Sequence, residues 1–284
     1  AIGSSRIMPL DTSTVGETVG EYYNHGMSGA GIYDYLGIVG LYKNNLPSHV
    51  ILGLDPWILN DNNPDTRYQG LDESISECID AMRNYSNGEI PEAHRFVIDS
   101  KYLEAVSPAY FQSAILSLLQ GKVRDKISVT VLTDLHNGGI MSDGSRIDSA
   151  EVLNMSVAQS DENAKQYCAD PENVYLMNGY SSLSKNYRAL LEELVVWLTN
   201  QHVKISFYLP PFHPIVYSEF SSNQALRIVL QSEEYFRELA ALYDIDVYGS
   251  YNPALCGGSN DDFSDGMHIK SNRIGTYWEL TNKD

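Results

Sequence analysis

Positive charge is scarce in this chain. Nineteen Lys and Arg stand against 37 Asp and Glu over 284 residues, a formal net charge of −18. Nucleic acid and anionic membrane surfaces are held by clustered basic residues, so neither is an expected partner. Cysteine is sparse as well. Cys78, Cys168 and Cys256 lie far apart, with no CxxC and no metal-ligand spacing, which argues against zinc sites and thioredoxin-type redox chemistry. One disulfide among the three is compatible with the sequence, its pairing open. His25, His49, His94, His136 and His202 likewise form no metal spacing, and neither a metal nor an organic cofactor is expected. No apolar run approaches the ~20 residues that cross a bilayer. The chain lacks G-x-G-x-x-G and the P-loop pattern, so a nucleotide-binding reading has no motif behind it. Internal repeats and low-complexity tracts are absent too.

What is present is the composition of an ordinary globular protein, 43% hydrophobic and 20% charged. The length can bury a large core. Much of the pattern alternates strand with helix. His49 to Leu54 is apolar without alternation, as a buried parallel strand is. Val203 to Leu209 and Ile245 to Tyr248 read as further strands, and Glu21 to Asn24 as a short one. Helical spacing runs through Ala30 to Asn45, Leu71 to Asn84, Pro108 to Gln120, Leu183 to Gln201 and Ala225 to Tyr243, with a last helix near Lys270 to Leu280. Ile127 to Leu132 is a weaker strand candidate. The expectation is an α/β fold with a parallel sheet and helices on both faces. It reads as one domain over 1–284 with an irregular insertion at about 61–180.

Ligands of such sheets sit beyond the carboxyl ends of the strands. Four motifs fall there: Ala1-Ile2-Gly3-Ser4-Ser5-Arg6, Asn24-His25-Gly26-Met27-Ser28-Gly29, Gly53-Leu54-Asp55-Pro56-Trp57, and Asp265-Gly266-Met267-His268. A serine hydroxyl is a poor nucleophile unless a base takes its proton and a third group orients that base. His268 is the candidate base. Asp265, three residues earlier, can share a face with it if the turn enters a helix. Oxyanion donors are needed as well, and the backbone N–H groups of Ser5 and Gly29 can supply two. Each motif alone is compatible with plain structure; their shared placement carries the argument.

Gly3-Ser4-Ser5, Asn24-x-x-x-Ser28-Gly29, Gly53-Leu54-Asp55 and Asp265-x-x-His268 resemble, in order, the four blocks of the SGNH/GDSL hydrolase superfamily. The resemblance covers both ends of the chain and not residues 61–180. It implies a flavodoxin-like three-layer α/β/α sandwich, acyl-ester cleavage or transfer, Ser5 as nucleophile, His268 and Asp265 as base and orienting acid, and Gly29 in the oxyanion hole. Two positions depart from the pattern. Asp55 stands where the family places an asparagine amide, and an ionised carboxylate only accepts hydrogen bonds. It could donate if held protonated, or Asn60 or Asn24 could supply the amide. Arg6 stands where leucine is usual, and could grip an anionic substrate group or pair with Asp55 or Asp11.

These departures are more similar to the divergent, membrane-associated DltD/AlgJ/AlgX-like branch. That likeness implies an acylated small molecule or a cell-envelope glycan as substrate, a membrane acyltransferase as partner, and an extracytoplasmic location. Ala1-Ile2 is short for a core strand of ~5–6 residues, and a trimmed signal peptide or anchor is the matching expectation. Trp57 and His213, in Pro-Pro-Phe-His-Pro, are candidate substrate contacts, with core packing and strand capping as their structural alternatives. The competing functional reading is a non-catalytic carbohydrate- or partner-binding protein on the same scaffold, and Asp55 is its main support.

Overall fold

A computed structural model describes residues 1–16, 21–62, 70–86, 137–170, 176–177 and 179–281. The expected helix at 108–120 and strand at 127–132 lie outside these residues. The main sheet has five parallel strands: β1 (Ile2–Gly3), β2 (His25–Gly26), β3 (His49–Gly53), β6 (Lys204–Leu209) and β7 (Asp246–Gly249). Their spatial order is β2-β1-β3-β6-β7. Winding outward in both directions from β1 and β3 opens a crevice at the carboxyl ends of those two strands. A separate hairpin joins β4 (Gly139–Ile140) and β5 (Arg146–Ile147).

The apolar run in β3 is buried on both sides. Val50 and Leu52 pack into the larger core with Ile205, Phe207 and Val247, while Ile51 and Tyr208 belong to a second cluster on the other face. The larger core is closed by α2 (Ile32–Leu41), α3 (Asp72–Ser86), α6 (Lys185–Asn200) and α8 (Ile228–Leu242). Helix α6 buries Tyr187, Leu190, Leu191, Leu194, Val195 and Leu198, the stripe read from its period. Ile7, Phe263, Ile274 and Tyr277 cover the second face, carried on 3-10 turns and loops. The result is an α/β fold whose parallel sheet is flanked by helices.

Several elements differ from the sequence reading. The second strand is His25–Gly26, not Glu21–Asn24. Tyr22 instead turns inward, its hydroxyl donating to the Leu10 carbonyl, and Asn24 is spent bonding the backbone of residues 7–10. Helix α2 stops at Leu41, so Leu41 and Tyr42 are exposed rather than buried. The last helix is a 3-10 stretch, Ser271–Tyr277. Among the described residues of 61–180, two regular helices stand out: α3, as expected, and α5 (Val157–Ala169), which follows the short α4 (Ala150–Leu153). All three cysteines are free. Among the described residues no helix is long and apolar enough to cross a membrane, and no cluster of His, Cys, Asp and Glu could hold a metal ion.

Candidate active site

Ser5 opens a 3-10 turn, Ser5–Ile7, directly after β1. Ser4 caps that turn, its hydroxyl accepting from the Arg6 N–H at 3.1 Å. As the first residue of a helical turn, Ser5 has an N–H with no acceptor inside it. Ile7 folds back over the ends of β1 and β3. A Cβ on Gly53 would come within 2.1 Å of Ile7 Cγ2, and one on Gly3 within 3.0 Å. Glycines at both strand ends therefore let the serine turn lie flat on the sheet.

The imidazole arrives from the far end of the chain. Ser5 Oγ is 2.8 Å from His268 Nε2, and His268 Nδ1 is 2.8 Å from Asp265 Oδ2. Asp265 and His268 do not lie on a helix. Oδ1 of Asp265 instead accepts from the backbone N–H groups of Met267 and His268, both at 2.8 Å. That Asx-type bend brings the imidazole over its own carboxylate. With the carboxylate accepting at Oδ2, Nδ1 carries a proton and Nε2 is left to accept from the serine hydroxyl. Burial alone would raise the Asp265 carboxyl, but the hydrogen bond and charge of His268 and the two backbone N–H groups take it down to about 2. The side chains of His268 and Asp265 are 21% and 24% exposed, so the group meets solvent.

Gly29 lies half-buried with φ +68° on the loop after β2. The Met27 N–H donates to the Gly3 carbonyl at 3.0 Å and keeps this loop beside the serine turn.

Arg6 and Asp55 do something other than line a pocket. Both side chains are fully buried, and Nη1 meets Asp55 Oδ1 at 2.7 Å. Arg6 Nε donates to the Met267 carbonyl at 3.2 Å, and Nη2 donates to the carbonyls of Pro210 and Pro211. The guanidinium stacks 3.8 Å over the Phe212 ring. Arg6 thus ties the serine turn to the loops after β3 and β6 and to the histidine loop. Of the roles open to it, Arg6 takes the pairing with Asp55 and not the contact with substrate, since its side chain is closed off from solvent. Asp55 is likewise shut off from solvent. Burial raises its carboxyl above the ordinary value, while the Arg6 charge pulls the other way; its Oδ1 accepts from the guanidinium.

The other candidates face inward too. Asn60 is buried and its amide donates to the Leu176 carbonyl at 3.0 Å, away from any oxyanion role. Asn24 spends its amide on the carbonyls of Ile7, Met8 and Leu10. Trp57 is 3% exposed, with Nε1 donating to the Ala30 carbonyl; it is core, not pocket wall. His213 is fully buried and caps α7 (Pro214–Ser222), where Nδ1 accepts from the Ile215 N–H at 3.2 Å. Its place is at a helix end in the interior, and burial lowers its basicity.

Helix α5 is a support that the sequence reading missed. Its Asn163 amide donates to the Ser264 carbonyl at 2.9 Å, next to Asp265, and Asn260 donates to Asp161 at 2.7 Å. The available signal was Ser156-Val157-Ala158-Gln159, a helix-start pattern in which Ser156 accepts from the Gln159 N–H at 3.3 Å. A cavity of about 860 Å³ lies elsewhere, at the amino ends of the strands, lined by Ala1, Tyr23, His25, Tyr42 and His49 among others. Ser5 is not among its lining residues, and His25 Nε2 there lies 2.9 Å from the Tyr42 hydroxyl. No protein-family model, no curated protein and no solved structure matches this chain.

Proposed function

We propose that this protein is a serine esterase or O-acyltransferase of SGNH type, on a flavodoxin-like sandwich. One observation carries the reading: Ser5 Oγ, His268 and Asp265 form an unbroken relay with both links at 2.8 Å. In the proposed reaction Ser5 Oγ attacks an acyl carbonyl as His268 Nε2 takes the hydroxyl proton. Asp265 holds Nδ1–H and offsets the imidazolium charge. The oxyanion forms against the N–H groups of Ser5 and Gly29. Collapse of the intermediate breaks the ester C–O bond, and His268 returns its proton to the leaving alcohol. Water or an acceptor hydroxyl then attacks the acyl-Ser5 ester, with His268 again as base. Residues present call for no metal or organic cofactor in these steps.

The sequence resemblance extends the proposal to acyl esters of cell-envelope polymers or small acylated molecules, outside the cytoplasmic membrane and alongside a membrane acyltransferase. A binding-only role draws on Asp55, whose charge is matched by Arg6 in the interior, and on the acidic composition and 20 tyrosines, which suit sugar contact and ordinary packing alike. The test is hydrolysis of short acyl esters and acetylated glycans. Wild type is expected to turn over at least one, and Ser5→Ala, with an unchanged circular dichroism spectrum, to lose at least 10³-fold in kcat. Equal turnover by Ser5→Ala would overturn the proposal.

A further inference from the structure

We infer that Tyr167, on α5, is a positioning residue for the relay: its hydroxyl fills the last acceptor site of the Asp265 carboxylate and fixes the plane in which that carboxylate meets His268. The inference rests on the relay acting as proposed above. A carboxylate has about four lone-pair sites. Three are taken from within its own loop, by the N–H groups of Met267 and His268 and by the imidazole. The fourth is the site we assign to the Tyr167 hydroxyl, one helical turn on from Asn163, whose amide donates to the Ser264 carbonyl beside Asp265.

The helix is built to deliver that hydroxyl. Ser160, Asn163, Ala164 and Tyr167 recur at the three- and four-residue spacing of one helical face. Ser160 donates to the Asn260 carbonyl at 3.4 Å, Asn163 donates to the Ser264 carbonyl at 2.9 Å, and Ala164 is fully buried. The same face therefore grips the loop at residues 260 and 264 and reaches the carboxylate at 265. Tyr167 is half-buried and packs against the core. Burial, with Asp265 beside it, pushes the phenol well above its ordinary value, so it stays a donor at any working pH.

Other titratable groups face this carboxylate and imidazole from the surrounding elements. Ser5 comes from the serine turn and Asp55 from the loop after β3, where the His268 charge is felt. His213 caps α7 and feels both Asp161 and Asp265. None of these donates to the Asp265 oxygens among the described hydrogen bonds.

Tyr167→Phe tests this, since it removes one oxygen and keeps the ring. Three readings are taken: thermal unfolding, the far-downfield proton resonance of the His268 Nδ1–H, and kcat against KM on the best ester. The expected result is an unchanged fold and KM, a kcat reduced about 3- to 10-fold, and a broadened or shifted Nδ1–H resonance. Asn163→Leu, which releases the Ser264 carbonyl without touching the carboxylate, should move the same resonance in part. A resonance identical in wild type and both variants overturns the inference even where ester turnover is found. The resonance needs no substrate, so it reads the Tyr167 link even if the enzyme proposal fails; that proposal is judged by Ser5→Ala.

Discussion

Replacing Arg6 by Met would strand the Asp55 carboxylate in a fully buried site. Breaking a buried ion pair from one side costs about 3–5 kcal/mol, far more than the pair itself contributes. Urea unfolding of Arg6→Met should show a loss of that size, and the double variant Arg6→Met/Asp55→Leu should recover a large part of it. Additive losses would mean the two groups are not coupled. Asp55→Asn is equally informative. If position 55 were an oxyanion site, an amide there would raise kcat. The ion pair predicts the opposite: no gain in turnover and a stability loss of about 1.5–3 kcal/mol, for a hydrogen bond to a charged partner. The sequence offered the pairing of Arg6 with Asp55 beside a pairing with Asp11 and a grip on substrate, without a means to choose among them. Arg6 and Asp55 lie 49 positions apart, and only the fold turns the guanidinium inward over Phe212.

At the scale of elements, the serine turn depends on empty space at the ends of two strands. Gly53→Ala would set a methyl group 2.1 Å from Ile7 Cγ2, a methyl on the branched Cβ of a fully buried side chain. Ile7 must move, and Ser5 moves with it. A lowered melting temperature together with lost ester turnover is expected, and Ile7→Ala in the same chain should restore part of both. Wild-type turnover and stability in Gly53→Ala would show that the turn does not rest on that contact. The legible elements were the long ones. α6 has a full apolar stripe, and β3 is apolar on both faces because both faces are covered. Of the two-residue strands, β1 was legible as a strand end running into the serine turn, while β2 has too little pattern to place; their register, Ile2 to His25 and Gly3 to Gly26, comes from pairing. α5 escaped because its inner face is polar. It docks by Ser160 and Asn163 rather than by an apolar period.

For the whole molecule, the site joins residues 263 positions apart, so its integrity reports on the global fold. Asp265 makes that link pH-dependent. Its folded value, about 2, lies below its ordinary 3.8. The folded state therefore prefers the ionised form, and this contribution is complete above about pH 4. It fades as pH falls through the folded value near 2. The shift corresponds to roughly 2 kcal/mol. Wild type should lose more stability than Asp265→Asn on acidification from pH 5 to pH 2.5, measured by denaturant unfolding at each pH. Parallel curves would contradict the depressed value. The meeting of Ser5, His268 and Asp265 was legible because each residue sits in a short motif. For Arg6, Trp57 and His213 the sequence offered both a substrate contact and a structural role, and the fold shows an ion pair, a core side chain and a helix cap.

Covalent labelling with a fluorophosphonate, read by peptide mass spectrometry, asks directly whether the hydroxyl at position 5 is activated. One adduct is predicted, on the peptide holding Ser5, formed by wild type and lost in His268→Ala. No adduct, an adduct on another serine, or equal labelling in His268→Ala would contradict the account.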